Sequence, residues 1–160
     1  MKLKIEADDY MDFLKNATQL IDYELMWEIA NEIVNYSKDA FRNQKWDGVP
    51  WEKLKARTGK ALIDTGTLWN SIKPEEITDN TVVVVSREPY AAIMNDGGTI
   101  RVTDKMRSLF WSKYKQTGDS IWKNLARTNR ITIPARTFLA VSSELNENIK
   151  NLIIEKWERL

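Results

Sequence analysis

The sequence predicts an α+β fold, with a long N-terminal amphipathic helix, a small central antiparallel β-sheet, a basic middle helix and a C-terminal helix. Three observations carry this reading. Leu25, Met26, Ile29, Ala30, Ile33, Val34, Ser37, Ala40 and Phe41 recur at helical spacing and draw one apolar stripe. After a turn signal at Asp79-Asn80, the run Thr81-Val-Val-Val-Val85 is so rich in β-branched residues that it reads as a strand. Leu145, Ile149, Leu152, Ile153, Trp157 and Leu160 draw a second helical stripe at the far end. Helix, then strands, then helix, without a βαβ alternation, points to α+β.

Helical spacing dominates from about Asp8 to Phe41. Asp22, Glu24, Glu28 and Glu32 lie where the helix dipole favours negative charge, and Lys38, Arg42 and Lys45 gather near the end. The stretch that follows, with Gly and Pro punctuation and tryptophans at Trp46 and Trp51, reads as an ordered loop. A short helix is expected from Gly66 to Ile72, with Thr65 or Thr67 able to cap it. Lys73 to Thr78 is expected to pair with the valine strand as a hairpin, and Pro89 ends that strand. Tyr90-Ala-Ala-Ile-Met leads to a second sharp turn at Asn95-Asp96-Gly97-Gly98. The segment VTDKMRSLFWSKYK reads as a helix with Met106, Leu109, Phe110 and Lys113 on one face, stopped by Gly118. Ile131 and Ile133 suggest a strand broken at Pro134, Phe138 to Val141 another, and Ser142 or Ser143 can cap the last helix. With no repeat, low-complexity stretch or linker, the 160 residues read as one domain, 1–160.

At 42% apolar and 29% charged residues, the chain has the composition of a folded protein rather than a disordered one. No apolar run approaches the roughly 18 residues a bilayer demands, and MKLKIEADDY lacks the apolar core of a secretory signal. No membrane association is expected, and the chain should stay in a cytoplasm or in something assembled there. Having neither cysteine nor histidine, the chain offers no disulfide, no thiolate nucleophile, no usual zinc ligands and no imidazole base. Carboxylate chemistry, Ser/Lys chemistry and carboxylate-bound metals remain open on composition. No phosphate loop or EF-hand pattern occurs, and no cofactor is expected.

Charge is unevenly spread. Residues 101–136 hold nine Lys or Arg against Asp104 and Asp119, a net of +7, which leaves −6 for the rest of a chain of formal charge +1. Such a split suits a complementary protein surface, another copy included, better than bulk nucleic acid. Lys105, Arg107, Lys113, Lys123, Arg127 and Arg130 are the candidate partner-binding residues. DNA contact, with Trp111, Tyr114 or Trp122 against bases, is the less favoured use of this segment. Trp27, Trp69 and Trp157 read as core, while Trp46, Trp51, Trp111 and Trp122 sit in polar or basic segments and divide evenly between core and interface.

Ala61-Leu-Ile-Asp64-Thr-Gly66 matches the way a retroviral-type aspartic protease presents its carboxylate, two copies sharing one proton. The flanking Thr67-Leu-Trp-Asn-Ser and the long helix before it do not fit that pattern, so a structural turn is the preferred reading. Arg136 lies between the rigid Pro134 and the apolar Phe138-Leu139. A fixed bidentate or backbone-carbonyl contact is expected there, with an exposed arginine as the alternative.

Four segments together resemble the phage virion morphogenesis family, the Mu-like tail completion proteins. They are Trp46-Asp-Gly-Val-Pro-Trp51 with Leu54; Leu62-x-Asp-Thr-Gly66-x-Leu68-x-x-Ser71-Ile72; Tyr90-Ala-Ala-Ile-Met-Asn-Asp-Gly97-Gly98; and Ile133-Pro134-Ala-Arg136-Thr-Phe138-Leu139. Their order and spacing span nearly the whole chain. Where that family has a histidine after the Tyr-Ala turn, this chain has Met94, Asn95 and Asp96, and the proline after Ile-Pro-Ala-Arg is Thr137. No role tied to that histidine carries over; the glycines and the arginine remain. The resemblance implies a structural, non-enzymatic protein that completes the tail or joins it to the head by docking to other virion proteins. It implies residence in the tail or neck after assembly in the bacterial cytoplasm. The charge split adds self-association into a ring as an expectation.

Overall fold

The computed structural model describes residues 1–6, 23–54 and 59–158. Helix α1, Tyr23–Asn43, carries the first apolar stripe, and Leu25, Met26, Ile29, Ala30, Ile33, Val34, Ala40 and Phe41 are all buried. The helix expected to begin near Asp8 is described only from Tyr23; the earlier residues of that stretch lie outside the described ones. Gln44 ends it. The residue takes a positive φ of 56°, and its Nε2 donates to Phe41 O at 2.7 Å, satisfying a carbonyl the helix terminus leaves open.

A three-stranded antiparallel sheet lies against α1, in the order β1 (Lys2–Glu6), β5 (Thr81–Ser86), β4 (Ile72–Ile77). The β4/β5 hairpin matches the sequence expectation, whereas β1 goes beyond it: Leu3 pairs with Val84 and Lys4 with Val83. Val82 and Val84 enter the main core. Val83 and Val85 are also buried, on the opposite face, beside cross-strand partners Lys4 and Lys2 on β1 and Glu76 and Lys73 on β4. Both faces of β5 are therefore covered, which is why this strand reads as unbroken valine instead of alternating. Pro74 and a register shift before Glu76 mark β4 as an edge unsuited to further pairing.

The expected loop after α1 contains a small hairpin, β2 (Lys45–Trp46) with β3 (Val49–Pro50). Asp47 and Gly48 both take positive φ at its tip, as a tight hairpin turn requires. Helix α2, Thr67–Asn70, follows a left-handed Gly66; Thr65 Oγ1 accepts from Thr67 N at 3.3 Å. The Tyr90–Gly98 stretch is not a simple turn but a helix, α3 (Ala91–Asp96), that runs into β6 (Gly98–Arg101).

Helix α4, Asp104–Thr117, starts on the Thr103 hydroxyl, which accepts from Met106 N, and stops at left-handed Gly118. Leu109 is 55% exposed and Lys113 is exposed, so the inward face of α4 is Met106 and Phe110. A helix the sequence reading omitted, α5 (Ser120–Arg127), follows at once, capped by Asp119 Oδ1 on Ile121 N at 2.9 Å. β7, Arg130–Ile133, then pairs with β6. Phe138 to Val141 is not a strand, because the N–H groups of Phe138 and Leu139 are taken by a side chain rather than a ladder. Helix α6, Ser143–Glu158, is capped by Ser142 Oγ on Leu145 N and packs on α1 through Leu145, Ile149 and Ile153. The architecture is α+β, with one large core between α1, the sheet and α6, and a small second core in the α4/α5 region.

Candidate functional site

The four segments that carry the family resemblance meet around one cleft of about 440 Å³. Leu54 comes from the first, Leu62, Asp64, Gly66 and Leu68 from the second, Tyr90 and Met94 from the third, and Ile133, Pro134 and Arg136 from the fourth. Its walls are mostly apolar. Tyr90 stands at 39% exposure on the rim; partial burial and the Glu88 carboxylate raise its phenol above the usual value.

Behind the cleft, the segments are fastened to one another by hydrogen bonds to backbone. Arg136 is buried at 6% exposure, and its Nε and Nη2 both donate to Glu52 O, at 3.1 and 3.0 Å. Its own N–H donates to Met94 O at 3.1 Å. Trp51 Nε1 donates to Thr137 O at 2.9 Å, while the indole packs edge-on against Phe41, which also contacts Phe138 with centroids 5.0 Å apart. Ser71 Oγ donates to Leu68 O and lies 2.7 Å from Ser86 Oγ, tying α2 to β5. Gly97 is obligatory for a steric reason: at φ 73° a Cβ there would stand 2.6 Å from Ala135 N. Gly98 lies further along, at φ 158°, with Ile93 beside it.

Asn95 is the residue sequence reasoning missed. Only 2% exposed, it accepts from Phe138 N at 2.8 Å and Leu139 N at 3.0 Å through one Oδ1, and its Nδ2 donates to Asp96. An Asn-Asp-Gly-Gly string reads as a turn, and nothing local in it shows that its amide reaches more than forty residues along the chain. Gln44 plays a similar part, with Nε2 donating to Ala61 O and Oε1 accepting from Ala61 N.

The tryptophans divide differently from the expectation. Trp46 and Trp51 are buried core residues; Trp27 and Trp157, expected in the core, are 42% and 48% exposed. The hairpin carrying Trp46 and Trp51 folds back under α1, where Trp46 meets Tyr36 edge-on, whereas Trp27 and Trp157 lie on the outer sides of their helices. Trp69 is half-buried under the Lys38 and Arg42 side chains. Asp64 is exposed on the turn that feeds α2, at one side of the cleft. Among the described residues, no group of three or more carboxylates is placed to hold a metal, and no helix is long and apolar enough to cross a membrane.

The candidate partner-binding residues lie on α4, α5 and β7. Lys105 and Lys113 stand outward on α4, and Arg127 and Arg130 are exposed. Lys123 is half-buried with its ammonium 5.7 Å from the Tyr114 ring centroid. Arg107 is used within the lobe, Nη1 donating to Ala126 O and Nη2 to Asn129 Oδ1, so it holds the end of α5 rather than reaching outward. Phe110, Val102 and Ala126 form the small core beneath, with Trp111 and Trp122 packed against it.

The model of the phage virion morphogenesis family matches residues 7–158. Over 94 residues the chain is 32% identical to Mu-like prophage FluMu G protein 2 of Haemophilus influenzae, a stretch covering 59% of this chain and 49% of that protein. The match thus spans about half the length of the relative. No solved structure matches the chain significantly.

Proposed function

Because the chain belongs to the phage virion morphogenesis family, we propose that it completes the tail or joins it to the head by docking to other virion proteins, without catalysing a reaction. The observation that carries this is the use made of the family segments. Their polar groups, Arg136, Asn95 and the Trp51 indole, are committed to backbone atoms of one another, so they build a rigid surface instead of presenting reactive groups. The Haemophilus relative is named as a Mu-like prophage protein, which supports a virion role. On this reading the protein assembles in the bacterial cytoplasm, ends in the tail or neck of the particle, and can self-associate into a ring there. It needs no cofactor.

The test is complementation of a phage lacking this gene product. Asp64→Asn should restore joined, infectious particles at the wild-type yield, since the carboxylate does no chemistry on this reading. Acid-optimum peptide cleavage by the pure protein, abolished in Asp64→Asn along with particle formation, would replace docking with proteolysis.

A further inference from the structure

We propose that Arg101 and Arg130, with Arg107 beside them, form a carboxylate-binding site that receives an acidic segment of another virion protein; this rests on the docking role above and assigns its chemistry at one point. Arg101 and Arg130 are direct cross-strand partners on β6 and β7. Side chains so paired have Cβ atoms about 4.5–5.5 Å apart, and like charges there repel. Both are exposed, and among the described residues neither guanidinium has an ion pair or hydrogen bond. Ion pairs such as Arg87 with Glu75 and Lys156 with Glu24 and Glu28 lie elsewhere, beside the sheet and between α1 and α6. Two like-charged arginines held at paired cross-strand positions form an arrangement that a bound anion would stabilise.

The pair opens onto a cleft of about 550 Å³ that Arg107 also lines, with Asp104 as its one carboxylate. Asp104 occupies the first turn of α4, where it complements the helix dipole, and pairs with none of the three arginines. The frame is preformed. Arg107 is pinned to Ala126 O and Asn129, and Val102 N donates to Asn129 O at 2.9 Å, extending the β6/β7 ladder. A backbone frame already ordered loses little freedom on binding, and the planar guanidinium fork matches a carboxylate with two hydrogen bonds.

A protein carboxylate suits this site better than a DNA backbone. The aromatic rings of the lobe are engaged with neighbours: Phe110 with Trp122 and Trp111 with Tyr114, each at 6.0 Å, and Tyr114 also with Lys123. They do not stand as stacking platforms for bases. Outside residues 101–136 the chain carries −6, which repels an extended polyanion but not a short acidic segment seated in the cleft.

Fluorescence anisotropy of a labelled hexaglutamate peptide tests the site in the isolated full chain. Arg101→Gln/Arg130→Gln should weaken peptide binding roughly ten-fold, whereas Lys73→Gln/Lys115→Gln, which removes the same charge from exposed positions on β4 and α4, should change it less than about two-fold. Without peptide, the arginine double variant should melt at or above the wild-type temperature, because a repulsion has been removed. If that variant fails to fold, Arg130→Lys keeps the charge but removes the fork and should still bind several-fold more weakly. Equal losses in both double variants would mean a diffuse field and overturn the proposal, as would no peptide binding by the wild type. Tighter binding of a short DNA duplex, lost in Arg101→Gln/Arg130→Gln, would overturn it in favour of nucleic acid. Loss of peptide selectivity alongside normal complementation would sink this site and leave the docking role standing.

Discussion

Asn95 and Arg136 hold the family segments together from opposite directions, and their substitutions should be felt as stability. Asn95 Oδ1 serves two buried N–H donors, those of Phe138 and Leu139. Asn95→Ala strands both, and thermal or urea unfolding should show a loss of about 2–4 kcal/mol, since each orphaned buried group costs roughly 1–3. Arg136→Ala releases Glu52 O from two charge-assisted bonds and should cost about 1–3 kcal/mol by the same measurement. A variant that melts normally would show the bond to be dispensable. The fixed position of Arg136 was legible in the sequence, because Pro134 and the apolar Phe138-Leu139 restrict it locally. Asn95 was not, since its partners lie 43 and 44 residues away and only the folded chain brings them near.

Among the elements, the ones read correctly are those whose periodicity is long enough to speak alone. The stripe of α1, the valine run of β5 and the stripe of α6 each repeat over several turns or residues. β1 has only five residues and α5 only eight, and both are stabilised by a partner strand or a neighbouring helix more than by their own pattern. The same contrast between local and tertiary demands separates two glycines of positive φ. Gly118 ends α4 with nothing within 4 Å of a Cβ position, so Gly118→Ala should cost only the backbone strain, about 1–2 kcal/mol. At Gly97 the strain adds to a clash with Ala135 N, and Gly97→Ala should cost about 2–4 kcal/mol in the same unfolding assay. Equal costs at the two positions would remove the argument that α3 must pass this close to the fourth segment. Helices α1 and α6 also meet through a titratable contact. Burial raises the Tyr36 phenol above its usual 10, and the hydroxyl donates to Glu144 at 2.9 Å. A folded-state value above the unfolded one gives stability that is complete below pH 10 and is lost as pH rises through the folded value. Tyr36→Phe should therefore lose less stability than the wild type between neutral pH and pH 11, and parallel curves would show that the phenol does not titrate against folding.

Over the whole molecule, the basic side chains stand on a lobe with its own small core, apart from the large core that α1, the sheet and α6 enclose. That separation allows docking and folding to be altered independently, but only with the right residues. Arg107 is the wrong choice, because its guanidinium secures Ala126 O and Asn129, so its removal loosens the lobe itself. Lys105 and Lys113 project from α4 into solvent. Lys105→Glu/Lys113→Glu should leave the melting temperature within a degree or two of wild type, because exposed unpaired charges contribute little to folding. Association with the virion partner should nevertheless weaken, through slower encounter more than faster release, since charges at the rim of an interface act mainly on the on-rate. The defect should shrink as salt is raised, because screening removes the same attraction from the wild type. Stopped-flow association and sedimentation of the two proteins at low and high salt measure both effects. If the double variant binds its partner and assembles at the wild-type rate but no longer retains DNA at low salt, the basic lobe is a nucleic-acid surface, and the complementary charge of the rest of the chain has no part in assembly.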